Sequence, residues 1–152
     1  MTDPRPEPGY LSFDRQLCFP LYAASRLMTR LYQPLLEPMG LTYPQYVVLM
    51  ILWEETPCTV SRLCRRALLN TNTLTPVLKR LEQSGYVERR RDAEDERVVR
   101  VHLTERGKGL QDQAGCIPGA LLAALGGDEA QLGALKGLLD QLLAHLGGLE
   151  PE

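Results

Sequence analysis

One change of rhythm constrains this chain more than any other feature. Over most of its length, apolar residues return at steps of three and four, the spacing that gathers side chains on one face of a helix. Between residues 86 and 104, "YVERRRDAEDERVVRVHLT", the period falls to two: Val99, Val101 and Leu103 alternate with Val98, Arg100 and His102. This predicts a hairpin, with strands over 86–91 and 98–103 joined by a charged loop over 92–97. The expected fold is therefore mainly α with one small β-hairpin.

The helices around the hairpin have readable ends. A first helix is expected from about Asp14 to Tyr32, with Pro20 in its first turn. A short helical piece, "QPLLEPMG", follows and stops at Gly40. "LTYPQYVVLMILWEE" starts with Thr42 and Gln45 at capping-box spacing, and its nearly all-apolar interior predicts a buried central helix. Thr59 can cap a short helix that turns Val60, Leu63, Cys64 and Ala67 inward and Arg62, Arg65 and Arg66 outward. "NTNTLTPVLKRLEQSGYV" reads as a cap-rich turn, a helix and a Gly85 stop. Pro76 requires that helix to start near Thr73 or to kink. Thr104 caps the next helix, and a bend is expected near "GCIPG". The last helix starts after Gly126-Gly127 with Asp128 as cap and ends at Gly147-Gly148. Its row Leu132, Leu135, Leu139, Leu142, Leu146 suits a helix–helix seam within or between subunits.

Length and composition narrow the class. The chain has 152 residues, 44% of them apolar and 24% charged, which fits one compact globular domain. "MTDPRPEPG" reads as a disordered arm. No run of 18 apolar residues and no basic-then-apolar leader is present, so no membrane association is expected and the location is taken as cytoplasmic. Cys18, Cys58, Cys64 and Cys116 are scattered without a CxxC pair, and His102 and His145 stand apart. That spacing argues against a metal site or a disulfide scaffold, and no cofactor is expected. Cys64 reads as inert core and Cys58 as a semi-exposed bystander.

Net charge is only −2, but its distribution is uneven. Arg62, Arg65, Arg66, Lys79, Arg80, Arg89, Arg90 and Arg91 face only Glu82 and Glu88 within residues 60–91, a local balance of +6. A basic middle in an acidic chain suggests a face for a polyanion. Two short helices joined tightly and followed by a charged hairpin make a winged helix-turn-helix, whose second helix enters the major groove. Asn70, Thr71, Asn72, Thr73 and Thr75, with Lys79 and Arg80 further on, would face the bases. Arg97 would reach a minor groove, and Arg89, Arg90 and Arg91 would serve phosphates.

"CFPLYAASRLMTRLY" carries a second pattern. Cys18, Tyr22, Ser25, Thr29 and Tyr32 form one row at helical spacing, beside an apolar row Leu17, Leu21, Ala24, Met28, Leu31, Leu35. A thiol reacts with a hydroperoxide as thiolate, and hydroxyl donors stabilise that anion. Tyr22 is one turn from Cys18. Tyr32 is about 21 Å along the same helix, at roughly 1.5 Å per residue, and could approach Cys18 only from an antiparallel second copy. Tyr43 could join the same pocket. A core cysteine among core tyrosines is the alternative that spacing leaves open.

Four blocks, "LCFPLYAASR", "LTYPQYVVLMILWE", "TLTPVLKRLE" and "DERVVRVHLT", resemble the MarR family of winged-helix regulators, and within it the organic-hydroperoxide-responsive (OhrR) repressor branch. The resemblance spans most of residues 14–106. It implies a homodimer with interlocking N- and C-terminal helices and a pseudo-palindromic duplex operator. It also implies a sensing cysteine at Cys18 surrounded by Tyr22, Tyr32 and Tyr43. At Asn70, Thr71 and Asn72 the chain departs from the acidic residue, serine and glycine usual in that branch. Oxidised Cys18 would be resolved by Cys116 or by a low-molecular-weight thiol. The chain then divides into an arm (1–12), a dimerisation helix with the thiol (13–40), a DNA-binding region (41–104) and C-terminal dimerisation helices (105–152). The expected function is a transcriptional repressor, not an enzyme, that releases its operator when an organic hydroperoxide oxidises Cys18. A regulator with a small ligand in the dimer cleft, and a thiol peroxidase, are the competing readings.

Overall fold

The computed structural model describes residues 12–126 and 128–147. The arm expected at the N-terminus lies outside them apart from Ser12, as do Gly127 and Gly148. The chain groups into two compact units, one up to Ala114 and one from Gly115.

The first unit opens with a 3-10 turn, Phe13–Arg15, and then α1, Cys18–Leu36. The helix starts later than Asp14 because of Pro20, whose ring would clash with the Gln16 carbonyl if the helix began a turn earlier. It also runs past Tyr32 and Pro34, carried by Leu36, which is buried. "EPM" forms a 3-10 turn that ends at Gly40 in the left-handed region, φ +66°. α2 spans Tyr43–Glu54, and its start has the expected capping box: the Thr42 N–H donates to Gln45 Oε1 at 2.8 Å. Val48, Leu49 and Leu52 on α2 are fully buried, as a central helix requires.

A two-residue strand β1, Cys58–Thr59, leads into α3, Val60–Ala67, where Thr59 Oγ1 accepts from the Arg62 N–H at 3.2 Å. α4 covers Thr71–Gln83. It starts two residues before Thr73 and keeps Pro76 inside. The carbonyl that Pro76 leaves without its helical partner belongs to exposed Asn72, where water can serve it. Gly85, at φ +74°, ends the helix, and the Tyr86 N–H reaches back to the Leu81 carbonyl at 2.9 Å.

The hairpin follows as β2, Val87–Arg91, and β3, Val99–Leu103, paired antiparallel with Arg89 opposite Val101. β1 adds to the other edge of β3, with Cys58 opposite Val101, giving a three-stranded sheet ordered β1-β3-β2. α5, Glu105–Ala114, starts on the Thr104 cap, whose Oγ1 accepts from the Gly107 N–H at 3.0 Å. Gly107 lets α5 approach the root of the hairpin: a Cβ there would sit 2.1 Å from the Tyr86 carbonyl oxygen. The indole N–H of Trp53 donates to the Gly107 carbonyl at 3.0 Å and ties α2 to the same point.

The second unit holds α6, Ile117–Leu125, and α7, Glu129–Gly147. The expected break falls at Gly115 and Cys116, and the Asp128 carboxylate accepts from the Ala130 N–H at 3.4 Å. No side chain of α7 is buried: Leu135, Leu138, Leu143 and Leu146 are exposed, and Leu132, Leu139 and Leu142 are half-buried.

Candidate functional site

The basic face is built on α3, α4 and the hairpin. Asn70 caps α4, its Oδ1 accepting from the Thr73 N–H at 2.8 Å, so this oxygen serves the helix start. Thr71, Asn72, Thr73, Thr75, Lys79 and Arg80 are all exposed along α4. The Thr75 hydroxyl donates to the Thr71 carbonyl at 2.7 Å, leaving its methyl as the outward feature. Between α4 and the hairpin runs a groove of about 370 Å³, lined by Thr59, Ser61, Thr71, Thr75, Arg89 and Arg97 among others.

The arginines of this face are not equivalent. Arg62 and Arg66 are bound to the end of α2: Arg66 reaches Glu54 at 2.7 Å and Glu55 at 2.9 Å, and Arg62 reaches Glu55 at 2.7 Å. Hydrogen bonds from Arg66 and then Arg62 hold the Glu55 carboxyl below its ordinary range. Arg89 is bound to Glu82 on α4 through its backbone N–H and Nε, both at 3.1 Å, and Nη2 at 2.7 Å. These contacts, side chain first, lower the Glu82 carboxyl. Arg90 pairs with Glu88. Arg100 pairs with Asp92, whose other oxygen accepts from the Glu94 and Asp95 N–H groups at 2.9 and 3.3 Å, so Asp92 organises the hairpin loop from within. The Arg100 bond, then those two N–H bonds, lower the Asp92 carboxyl. The side-chain charges of Arg65, Lys79, Arg80, Arg91 and Arg97 have no carboxylate partner among the described residues, although the Arg97 backbone N–H donates to Asp95 Oδ1 at 3.0 Å. Part of the +6 is therefore neutralised within the protein.

The thiol row separates into two places. Cys18 is exposed at the start of α1. One turn on, the Tyr22 oxygen accepts from Arg26 at 2.8 Å, with the guanidinium 5.6 Å from the ring centre. Thr29 uses its hydroxyl on the Ser25 carbonyl, so that member of the row serves the helix backbone. Tyr32 packs on Tyr43 and Tyr46, with ring centres 4.7 and 5.8 Å apart. Burial, then the neighbouring Tyr43 and Tyr46, raise the Tyr32 phenol. Tyr32 and Tyr43 thus come together, while Cys18 stands about 21 Å away along α1 at roughly 1.5 Å per residue. On the apolar row of α1, Leu17 and Leu31 are 66% and 37% exposed, Ala24 is exposed, and Leu21, Met28 and Leu35 are half-buried, so this row is only partly covered in one chain.

The remaining cysteines differ in part from expectation. Cys58 is buried, not semi-exposed, because β1 pairs with β3; burial, then the Glu55 charge, raise its thiol. Cys64 is half-buried, its Sγ 3.9 Å from Thr71 Oγ1, rather than deep core. Cys116 is exposed.

Comparison with known proteins agrees with this architecture. Residues 30–114 match the family model described as transcriptional regulator SarA/Rot. The chain is 44% identical over 137 residues to the organic hydroperoxide resistance transcriptional regulator of Bacillus subtilis, covering 90% of this chain and 93% of that one. It belongs to the MarR-type winged-helix transcriptional regulators. Among solved MarR-type regulators, reduced AbfR bound to DNA matches at a TM-score of 0.74 and 40% identity, over 88% of this chain and 93% of that chain. Disulfide-formed AbfR matches at 0.61 and 40%, over 90% of each. AbfR is a protein of Staphylococcus epidermidis. Like its MarR-type relatives the chain is a DNA-binding regulator, and among the described residues no single helix is long and apolar enough to cross a membrane.

One feature of this MarR-type site escapes a reading of spacing. The Glu82–Arg89 tie crosses the Gly85 turn, where no helical or strand period links the partners. Arg26 was overlooked, although its step of four from Tyr22 was the signal that could have found it.

Proposed function

We propose that the protein is a homodimeric, cytoplasmic repressor that holds a pseudo-palindromic operator while Cys18 is reduced and releases it when an organic hydroperoxide oxidises Cys18. One observation carries the reading. The thiol and Tyr22 lie at one end of α1, the Tyr32–Tyr43 pair lies at the other, and the apolar row between them is only partly covered. A second copy running antiparallel brings Tyr32 and Tyr43 to the partner's Cys18. The thiolate attacks the distal peroxide oxygen, the O–O bond breaks, and the alkoxide leaves and takes a proton to become an alcohol. Sulfenic acid remains, and a second thiol, Cys116 or a small cellular thiol, displaces hydroxide to form a disulfide. The identity with the Bacillus subtilis hydroperoxide regulator supports the choice of oxidant, and the reduced and disulfide forms of AbfR support the redox chemistry. Thr71, Asn72, Thr73 and Thr75 face base edges, Lys79, Arg80 and Arg91 serve phosphates, and Arg97 enters a minor groove. Each oxidant molecule is consumed once per switch, so the protein is a regulator rather than a peroxidase.

The test uses a duplex selected by the reduced protein from a random-sequence pool. Cumene hydroperoxide should release it, with a mass change on Cys18, while Cys18→Ser should bind and ignore the oxidant. Mixed dimers test sharing of the site. A Cys18→Ser subunit paired with a Tyr32→Phe subunit keeps one thiol beside an intact Tyr32 and should oxidise at the parent rate per site. A thiol as slow as in the Tyr32→Phe homodimer refutes the shared arrangement. A second reading rests on a cavity of about 470 Å³ beside Tyr43, lined by Arg30, Gln33, Leu36 and Thr42 among others. A regulator answering to a small ligand there would respond to it unchanged in Cys18→Ser.

A further inference from the structure

We propose that Glu82 is a positioning residue for DNA binding, setting the place of the hairpin against α4 and withholding Arg89 from the phosphates. Its carboxylate lies near the end of α4 and takes three bonds from one residue of β2: the Arg89 backbone N–H at 3.1 Å, Nε at 3.1 Å and Nη2 at 2.7 Å. The backbone bond fixes the strand itself, and the two guanidinium bonds fix the side chain. Asp92 and Arg100, by contrast, bind within the hairpin and shape its loop without reference to α4. Glu82 is therefore the charged link between the helix that enters the major groove and the arm that flanks it. Arg89, the residue so held, lines the groove between them together with Thr71, Thr75 and Arg97.

The sign of one substitution separates positioning from simple charge. Glu82 is a carboxylate on a face that binds a polyanion. If only charge mattered, removing it would strengthen binding and steepen the salt dependence. If Glu82 positions the hairpin, removing it frees the strand and weakens binding to a preferred sequence, while the released Arg89 keeps or strengthens binding to random sequence. Arg89, committed to Glu82, makes no phosphate contact, so its loss leaves the salt slope alone. Arg97, whose guanidinium has no carboxylate partner among the described residues, serves as the reference whose loss lowers the slope by about one.

The experiment measures binding over a salt series to two duplexes of equal length, one selected by the parent protein and one of random sequence. Glu82→Gln should bind the selected duplex about tenfold more weakly and the random duplex somewhat more tightly than the parent, because the freed Arg89 guanidinium can now meet phosphate. Arg89→Ala should show the same loss at the parent's slope. The double variant should be no worse than either single, because both act through one contact. Unfolding midpoints near the parent's show that the loss is not one of folding. If Glu82→Gln shifts the midpoint, Glu82→Asp, which keeps the charge and shortens the reach, makes the same comparison. Equal or tighter binding of the selected duplex by the Glu82 variant overturns the proposal, as does a slope reduced by about one in Arg89→Ala.

Discussion

Two glycines on α5 lie two residues apart and should respond to alanine with opposite signs. In a helix interior, alanine is favoured over glycine by about 0.8–1 kcal/mol. A Cβ added at Gly109 would meet nothing within 4 Å, so Gly109→Ala should gain most of that amount. At Gly107 the same Cβ would lie 2.1 Å from the Tyr86 carbonyl oxygen and 3.0 Å from Leu103 Cδ2. An ordinary carbon–oxygen contact is roughly 3.3 Å or more, so backbone must move by about 1 Å. The Tyr86 carbonyl cannot move freely. It accepts from the Thr104 N–H at 3.1 Å, and the Tyr86 ring is buried with its hydroxyl donating to the Met39 carbonyl at 3.3 Å. Overpacking of this kind costs about 1–3 kcal/mol, and losing the Thr104 bond adds about 1 kcal/mol. The helix preference does not offset this, so Gly107→Ala should destabilise by about 1–3 kcal/mol net. The two variants should then differ by about 2–4 kcal/mol. Urea unfolding at one fixed protein concentration reads this, since the stability of the proposed dimer depends on concentration. Trp53, the chain's single tryptophan, bonds to Gly107 and supplies a local fluorescence probe. A Gly107→Ala midpoint at or above the parent's would refute the close approach of α5 to the hairpin root.

Other outcomes follow from the same contacts. Arg97→Ala should leave the unfolding midpoint unchanged and weaken binding of the selected duplex by about 1–3 kcal/mol, with a lower salt slope; binding equal to the parent's at every salt concentration would remove Arg97 from the interface. Aspartates at Leu135 and Leu139 together should give monomers or insoluble protein in sedimentation, because a helix with no buried side chain of its own needs a second surface; an intact soluble dimer would contradict this. The carboxyls of Asp92, Glu82 and Glu55 are all lowered by arginine partners, so their stabilising effect is complete above the ordinary carboxylate range, near roughly pH 4, and is lost as pH falls through their lower folded values. Acid titration of Asp92→Asn should therefore show a shallower loss of stability over that window than the parent does.

Local chemistry made much of this protein legible before any coordinates. Caps at Thr42, Thr59 and Thr104, the stop at Gly85 and the two-residue period of 98–103 act over three or four residues, so local pattern located most helix ends and the hairpin, while the Asn70 cap of α4 went unassigned. Pairings between distant segments were not legible. β1 is two residues long and carries no period, so the burial of Cys58 depended on β3 lying beside it. The basic tally of residues 60–91 could not show which charges were neutralised, because Glu54, Glu55 and Glu82 meet their arginines across turns. Helical spacing aligned Cys18 with Tyr32, yet a straight helix keeps them far apart, and packing instead joined Tyr32 to Tyr43. Periodicity reports which face a residue occupies; only the folded chain decides what stands opposite that face, because contact depends on distance in space and not along the sequence.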